Sequence, residues 1–149
     1  LKRERVDVSN MARQVLDELE EREPGRKIQL QVSSDLIAQA DSGLLRVLLE
    51  NLLGNAWKFT SKQPAAKIEV GQERRGPETV FFVRDNGAGF DMEYTKKLFT
   101  AFHRLHAESE FEGTGIGLAT VRRILTRHGG RIWADARAGH GATFFFTLG

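Results

Sequence analysis

The chain has no cysteine among its 149 residues. Disulfides and thiolate metal sites are therefore excluded, and a reducing compartment is allowed without being required. No apolar run approaches the roughly 18 residues that a membrane-spanning helix needs. The opening residues, Leu1-Lys2-Arg3-Glu4-Arg5, lack the apolar stretch of a signal peptide. A large excess of one charge is missing too. The net charge of +2 is too small to argue for nucleic acid by itself. There is no internal repeat and no low-complexity linker. What is present is ordinary for a soluble globular protein, with 40% hydrophobic and 28% charged residues. The length fits one domain with a real core. The first residue is Leu rather than Met, so a piece of a longer protein is expected.

Patterning along the chain predicts alternating strands and helices. Residues 6–8 alternate as a short strand. Ser9 or Asn10 is the expected cap of a helix running to about Arg22, stopped by Pro24-Gly25, because a short polar side chain can accept an orphan N–H. Ile28, Leu30 and Val32 alternate with polar residues as a half-buried strand. Ile37 to Ala40 is a second strand. Asp41 or Ser42 then caps a long leucine-rich helix ending near Thr60. Ile68 and Val70, the turn Arg74 to Glu78, and Thr79 to Arg84 read as a hairpin. Asp85 to Phe90 is a loop and Met92 to Leu98 a short helix. Residues 100–114 are polar and aperiodic, as in a long loop. Gly115 to His128 is helical and stops at Gly129-Gly130. Arg131 to Ala136 and Ala142 to Leu148 form a last hairpin around Gly139-His140-Gly141. The expected fold class is α/β: a two-layer sandwich of a mixed sheet with helices on one face.

The most informative stretch runs from Asn51 to Phe59. Asn51, Asn55 and Lys58 sit at i, i+4 and i+7, which places them on one helix face. Two carboxamides and an ammonium together suit a magnesium-bound polyphosphate. Three glycine-rich stretches follow. Asp85-Asn86-Gly87-Ala88-Gly89-Phe90 comes directly after a strand. Its carboxylate only accepts hydrogen bonds, and the adenine exocyclic amine only donates them. Its glycines permit close backbone approach to a flat base. Taken alone, however, it reads as a surface Asp-Asn-Gly turn. Gly113-Thr-Gly115-Ile-Gly117-Leu118 opens a helix, whose N-terminal N–H groups hold phosphates well. It matches neither the dinucleotide fingerprint nor a P-loop, and glycine at a helix start also serves packing. Gly139-His140-Gly141-Ala142-Thr143-Phe144 alone is a hairpin turn. Its functional reading puts the Thr143 hydroxyl under the adenine edge. Phe99 and Phe102 fit core packing. Arg104, in the long loop, can close over a terminal phosphate.

The ordered set of an Asn box, a glycine box, a phenylalanine box and two more glycine boxes resembles the catalytic ATP-binding domain of sensor histidine kinases, in the GHKL ATPase superfamily. The resemblance runs from about residue 41 to 148. Its wording is most similar to kinases attached to phytochrome or PAS sensors. It implies a Bergerat-type fold with ATP and Mg²⁺ as ligands. Asn55 would bind the metal through its carboxamide oxygen, which suits a hard cation. Asn51 would lie beside the phosphates, and Lys58 would neutralise their charge. Phe59 would lie against the adenine, where many relatives have Tyr, and Asp85 would read its amine. Gly87, Gly89, Gly113, Gly115, Gly117 and Leu118 would line the pocket, with Thr143 at the adenine edge. Residues 101–114 would form an ATP lid, with Arg104 reaching the γ-phosphate.

Hydrolysing relatives and serine kinases of the superfamily typically carry a Glu base four residues before the metal-binding Asn, to activate water or a hydroxyl. Here that position is Asn51, which cannot accept a proton. A neutral imidazole already has a free lone pair, so Asn51 argues for transfer to histidine. Glu50 points about 100° round the helix and receives no role. The family's acceptor box, His-[Glu/Asp]-x-x-[Thr/Asn]-Pro, matches none of the four histidines. The resemblance therefore implies that residues 1–149 are one catalytic domain, with residues 1–8 leading from a separate upstream dimerisation and phosphoacceptor domain. A response regulator receiver domain is the other implied partner. Cytoplasmic placement and a monomeric isolated domain are expected, without nucleic acid or membrane insertion. The alternatives are a nucleotide-sensing module without transfer and a hydrolysing ATPase.

His103, His106, Glu108 and Glu110 fit a solvated lid better than a metal site, because they form no closed four-ligand set. Arg122, Arg123, Arg127 and Arg131 read as a solvated face, with a docking surface for the upstream hairpin as a further hypothesis. Trp57 stays open between core and partner interface.

Overall fold

The structure is a computed structural model. It describes residues 1–89 and 114–149, with 114–116 described as helix backbone alone. The elements are β1 (Glu4–Asp7), α1 (Val8–Arg22), β2 (Ile28–Val32), β3 (Ile37–Ala40), α2 (Ser42–Phe59), β4 (Ala66–Arg75), β5 (Glu78–Asp85), α3 (Thr114–His128), β6 (Ile132–Ala136) and β7 (Ala142–Phe146). Five strands form a sheet in the order β2-β4-β5-β7-β6, and β1 and β3 form a separate pair. β2 and β4 are parallel, and the other neighbours in the large sheet are antiparallel. The sheet is mixed, as its pattern of elements predicted.

One face of the sheet carries the core. Leu45, Leu48, Leu49, Leu52 and Leu53 on α2 are all fully buried. Their spacing wraps most of the helix in apolar side chains, so α2 is the central rod of the helical layer. They pack with Ile68, Val70, Phe81, Val83, Phe144 and Phe146 from alternate strand positions, and with Leu118, Val121 and Leu125 of α3. The opposite face holds a smaller cluster of Val80, Phe82 and Phe145 against Trp133. Arg75 lies over the Phe145 ring at 4.8 Å and Arg131 over Trp133 at 4.8 Å, so cationic side chains cover these aromatics.

The helix starts are fixed by aspartates. Asp41 caps α2 by accepting from the Leu44 N–H at 3.1 Å, as expected. Its carboxyl is held below its ordinary range by the Lys2 backbone N–H, then by that of Leu44. α1 differs from the sequence expectation. Its cap is Asp7, which accepts from the Asn10 N–H at 3.0 Å, so the helix begins at Val8 and the preceding strand ends one residue before that. Ser9 does not cap, because its buried hydroxyl is used elsewhere. It donates to the Ser33 carbonyl at 2.6 Å and accepts from the Leu36 N–H at 3.0 Å, closing the β2–β3 turn onto α1. At the far end of α3, Gly129 takes a positive φ of 76°. Its N–H bonds to Thr126 and the Gly130 N–H to Leu125 at 2.8 Å, the pairing that ends a helix on glycine.

Trp57 is core, at 4% exposure. Arg26 lies over its ring at 5.0 Å and donates to its carbonyl and to the Thr60 hydroxyl, capping the end of α2 with a cation. Arg122, Arg123 and Arg127 are exposed on α3, while Arg131 makes a two-pronged pair with Glu78 at 2.7 and 2.8 Å. Glu50 is paired with Arg46 at 3.8 Å on the surface.

Replacing Ser9 by Ala leaves the buried Leu36 N–H without its acceptor and removes the hydroxyl that donates to the Ser33 carbonyl. The expected cost is about 2 kcal/mol of unfolding free energy, read from urea denaturation.

Candidate nucleotide-binding site

The site residues of α2 occupy different environments. Asn55 is 5% exposed. Among the described residues its Nδ2 has no hydrogen-bond partner. A buried, unsatisfied amide costs about 1–3 kcal/mol, and rotating the carboxamide exchanges its nitrogen and oxygen ends. The position can thus offer a buried oxygen to a hard cation. One turn earlier, Asn51 donates from Nδ2 to the Val47 carbonyl at 2.8 Å. Its Oδ1 lies 2.7 Å from where a Cβ on Gly117 would stand. Gly117 lets α3 approach α2 at this point. Lys58 is exposed in the last turn of α2, and Phe59 beside it is buried.

Two of the glycine boxes are docked on one another by their backbones. A Cβ on Gly87 would stand 2.3 Å from the Phe59 carbonyl oxygen, so this glycine presses the first box against the end of α2. The Ala88 N–H donates to that same carbonyl at 3.0 Å. A Cβ on Gly141, where φ is +88°, would stand 2.2 Å from the Asp85 carbonyl oxygen. The Gly139 N–H donates to the Ala88 carbonyl at 2.6 Å. Gly89 meets the Arg137 carbonyl with equal closeness. Asn86, for which sequence reasoning assigned no separate role, fastens the loop to β4. It accepts from the Lys67 N–H at 2.8 Å and donates to the Ala65 carbonyl at 2.8 Å.

Asp85 ends β5 and is 4% exposed. Its carboxylate accepts from the Gly87 N–H at 2.8 Å. Burial disfavours the charged form, so its pKa is pushed up from 3.8 to about 7, against the smaller opposing effect of that N–H. A carboxylate in this condition favours a ligand that brings hydrogen-bond donors.

Thr143 requires a correction. In the register, Arg84 pairs with Thr143 and Asp85 with Ala142. Successive side chains alternate across a sheet, so Thr143 shares the outer face with Arg84, whose Nε donates to its hydroxyl at 3.2 Å. Ala142, buried in the core, lies opposite Asp85 on the helix-covered face. The sequence signal for this was the alternation Ala142, Phe144, Phe146. Leu118 is 0% exposed, and its side chain packs in the core. Gly115 lies in the first turn of α3. Gly113, Phe90, Phe99, Phe102, Arg104, His103, His106, Glu108, Glu110 and the expected helix at 92–98 lie outside the described residues. Among the described residues no group of three acidic or histidine side chains could hold a metal ion, and no helix is long and apolar enough to cross a membrane.

The family of histidine kinase-, DNA gyrase B- and HSP90-like ATPases matches residues 40–149. The chain belongs to that family. It is 46% identical over 109 residues to cyanobacterial phytochrome A of Nostoc sp., covering 73% of this chain and 14% of that protein. It is 49% identical over 100 residues to the methanogenesis regulatory histidine kinase FilI of Methanothrix harundinacea, covering 67% of this chain and 11% of that one. The chain thus spans a small part of these relatives' length. The catalytic domain of histidine kinase ThkA, solved in a nucleotide-free form, superposes with a TM-score of 0.79 at 26% identity, covering 99% of this chain and 95% of that one. Full-length ShkA, solved in complex with AMPPNP, superposes with a TM-score of 0.79 at 32% identity, over 99% of this chain and 31% of that one. The chain is an ATPase-family catalytic domain of the histidine kinase type, and its mixed sheet with helices is the fold expected of one.

In this ATPase-family domain Asp85 makes a testable contribution to stability. Its folded pKa of about 7 lies above its ordinary 3.8, so folding favours the protonated form. That contribution is present in full below about pH 4 and is lost as pH rises through 7. Asp85→Asn removes it. The variant is expected to gain a few kcal/mol on the wild type at pH 8 relative to pH 4, measured by urea denaturation of both proteins at both pH values.

Proposed function

We propose that this domain binds Mg²⁺-ATP and passes the γ-phosphoryl group to a histidine on a separate helical dimerisation domain. The whole protein is then a two-component sensor kinase, whose phosphoryl group moves on to the receiver domain of a response regulator. Residues 1–8 form the connection from the dimerisation domain. Dependence on ATP places the domain in the cytoplasm.

The observation that carries this reading is the face of α2. Asn55 keeps a buried carboxamide with one end unpartnered among the described residues, and Asn51 lies one turn away, against Gly117 in the first turn of α3. A carboxamide oxygen suits Mg²⁺, and the free N–H groups of a helix start suit phosphate. Asn55 would hold the metal. Asn51 would stand between metal and phosphates, and Lys58 would offset phosphate charge. Asp85 would accept from the adenine amine, which stabilises its charged form against the burial that disfavours it. Bound Mg²⁺-ATP supplies the activated phosphoryl group. The protein's part is to position it and neutralise its charge. No residue on this face takes a proton from the attacking group, because Asn51 occupies the position where a base would stand. A neutral imidazole needs no such help, whereas water does. Arg104, in the segment 101–114, is proposed to reach the γ-phosphate as a lid closes.

The test mixes the chain with labelled ATP, magnesium and a dimeric helical hairpin carrying the acceptor box. Acid-labile label is expected on the hairpin. Asn55→Ala is expected to lower that transfer by about 100-fold or more. Asp85→Asn is expected to weaken ATP binding by about 100-fold, read by titration calorimetry, because the adenine amine loses its charged acceptor. Tight binding with no transfer to any matched hairpin marks a sensing module instead. Fast release of free phosphate without the hairpin marks an ATPase.

A further inference from the structure

The two helices that carry the site are fastened together at their far ends by the first residues of the chain. α2 starts after Asp41 and α3 ends at His128, which is 2% exposed. The Asp41 N–H donates to His128 Nε2 at 3.1 Å. Nε2 is therefore the acceptor nitrogen, and Nδ1 carries the hydrogen that is donated to the Ile124 carbonyl at 2.8 Å. Arg3 comes to this junction from 125 positions away. Its guanidinium donates to the His128 carbonyl, to the Leu148 carbonyl at 3.0 Å and to the Gln39 carbonyl at 3.0 Å. The Lys2 N–H donates to Asp41 Oδ2 at 3.1 Å. Two adjacent residues thus hold the end of β3, the start of α2, the end of α3 and the chain beyond β7.

Arg3 also meets an electrostatic need. The last carbonyls of a helix carry partial negative charge and lack partners within the helix. The glycine stop satisfies Leu125 and Thr126, and Arg3 satisfies His128. A guanidinium offers several N–H groups in a fixed plane, so one side chain can bind three carbonyls at once. Lysine has a single ammonium and cannot reproduce that spread.

From this junction to the site is about 20 Å along α2, counting from Asp41 to Asn55, and about 17 Å along α3, from His128 to Gly117. A packed helix transmits axial displacement along its length. The first turn of α3 touches the middle of α2, where Gly117 meets Asn51. We propose that Arg3 is a positioning residue. By clasping the rear ends of α2 and α3, it sets the axial register between the metal-side asparagines and the phosphate-side helix start. A pull on residues 1–3 then reaches both helices together and is read at the site as a change in nucleotide affinity. This rests on the ATP reading of the site.

The test compares wild type, Arg3→Ala, Arg3→Lys and Ser9→Ala, each held well below its own unfolding midpoint. The dissociation constant for Mg²⁺-ATP is measured together with amide hydrogen exchange of residues 114–118 in the free protein. Arg3→Ala is expected to weaken ATP binding by about 10-fold and to speed exchange at 114–118, far from the substitution. Arg3→Lys is expected to recover only part of either effect. Ser9→Ala loses stability at a site away from the clasp and is expected to leave both readings as in wild type. A dissociation constant for Arg3→Ala within twofold of wild type overturns the proposal. So does an equal weakening in Ser9→Ala, which would reduce the effect to general stability. Should the wild type bind no ATP, the ATP reading fails by itself, and unchanged exchange at 114–118 in Arg3→Ala then overturns the clasp as well.

Discussion

Backbone pressed on backbone, without side chains between, is the constraint on which this site depends. Gly87 lies on the Phe59 carbonyl, Gly141 on the Asp85 carbonyl and Gly89 on the Arg137 carbonyl. Each contact is closer than any Cβ would allow. Together they join the end of α2, the end of β5 and the β6–β7 turn into one closely packed corner. Asp85 stands in that corner, and Lys58 and Phe59 lie at its margin. The glycines permit a close approach and also decide which elements can meet. Without them the last turn of α2 would stand farther from the sheet, and the carboxylate would be open to water.

The burial that follows has a consequence for charge. Water excluded from Asp85 raises its pKa. Water excluded from Asn55 leaves one end of its amide without a partner among the described residues. Both residues are less stable in the free fold than they would be on the surface, and both are relieved by a ligand of the right polarity. A donor suits the first and a cation or a further polar partner suits the second. Local disadvantage in the free state and a matching gain on binding are the usual thermodynamic form of a preorganised site.

The sequence made the elements legible wherever a periodic apolar pattern was long. The leucines of α2 and the alternation in β2, β4, β5 and β7 specify those elements locally, and the caps at Asp41 and Gly129 mark their ends. It was less informative about partner choice. Ser9 looked like a cap because caps and turn closures use the same hydroxyl chemistry. Which of them wins depends on the β2–β3 turn lying alongside, some 24 positions later. Thr143 looked like a site residue because it belongs to a glycine box. Its face is set by the pairing of β7 with β5, and a shift of one residue moves a side chain to the other side of the sheet. Arg3 gave no signal at all, since its partners are carbonyls contributed by residues up to 145 positions away.

These levels meet in the relation between Asp85 and helices α2 and α3. The carboxylate is positioned by strand register and by glycine contacts, neither of which involves α3. The phosphate end of the proposed site depends on α3, which reaches α2 at Gly117 and is tied through its last residue, His128, to Arg3 and Asp41. On the proposed reading the base side and the phosphate side belong to different structural units, and among the described residues α2 contributes to both. A ligand long enough to touch both halves would couple them, while a base alone would engage only the corner. On the proposed reading, adenine would meet the corner closed by the glycine contacts, and the phosphates would meet the helix pair that Arg3 clasps at its rear.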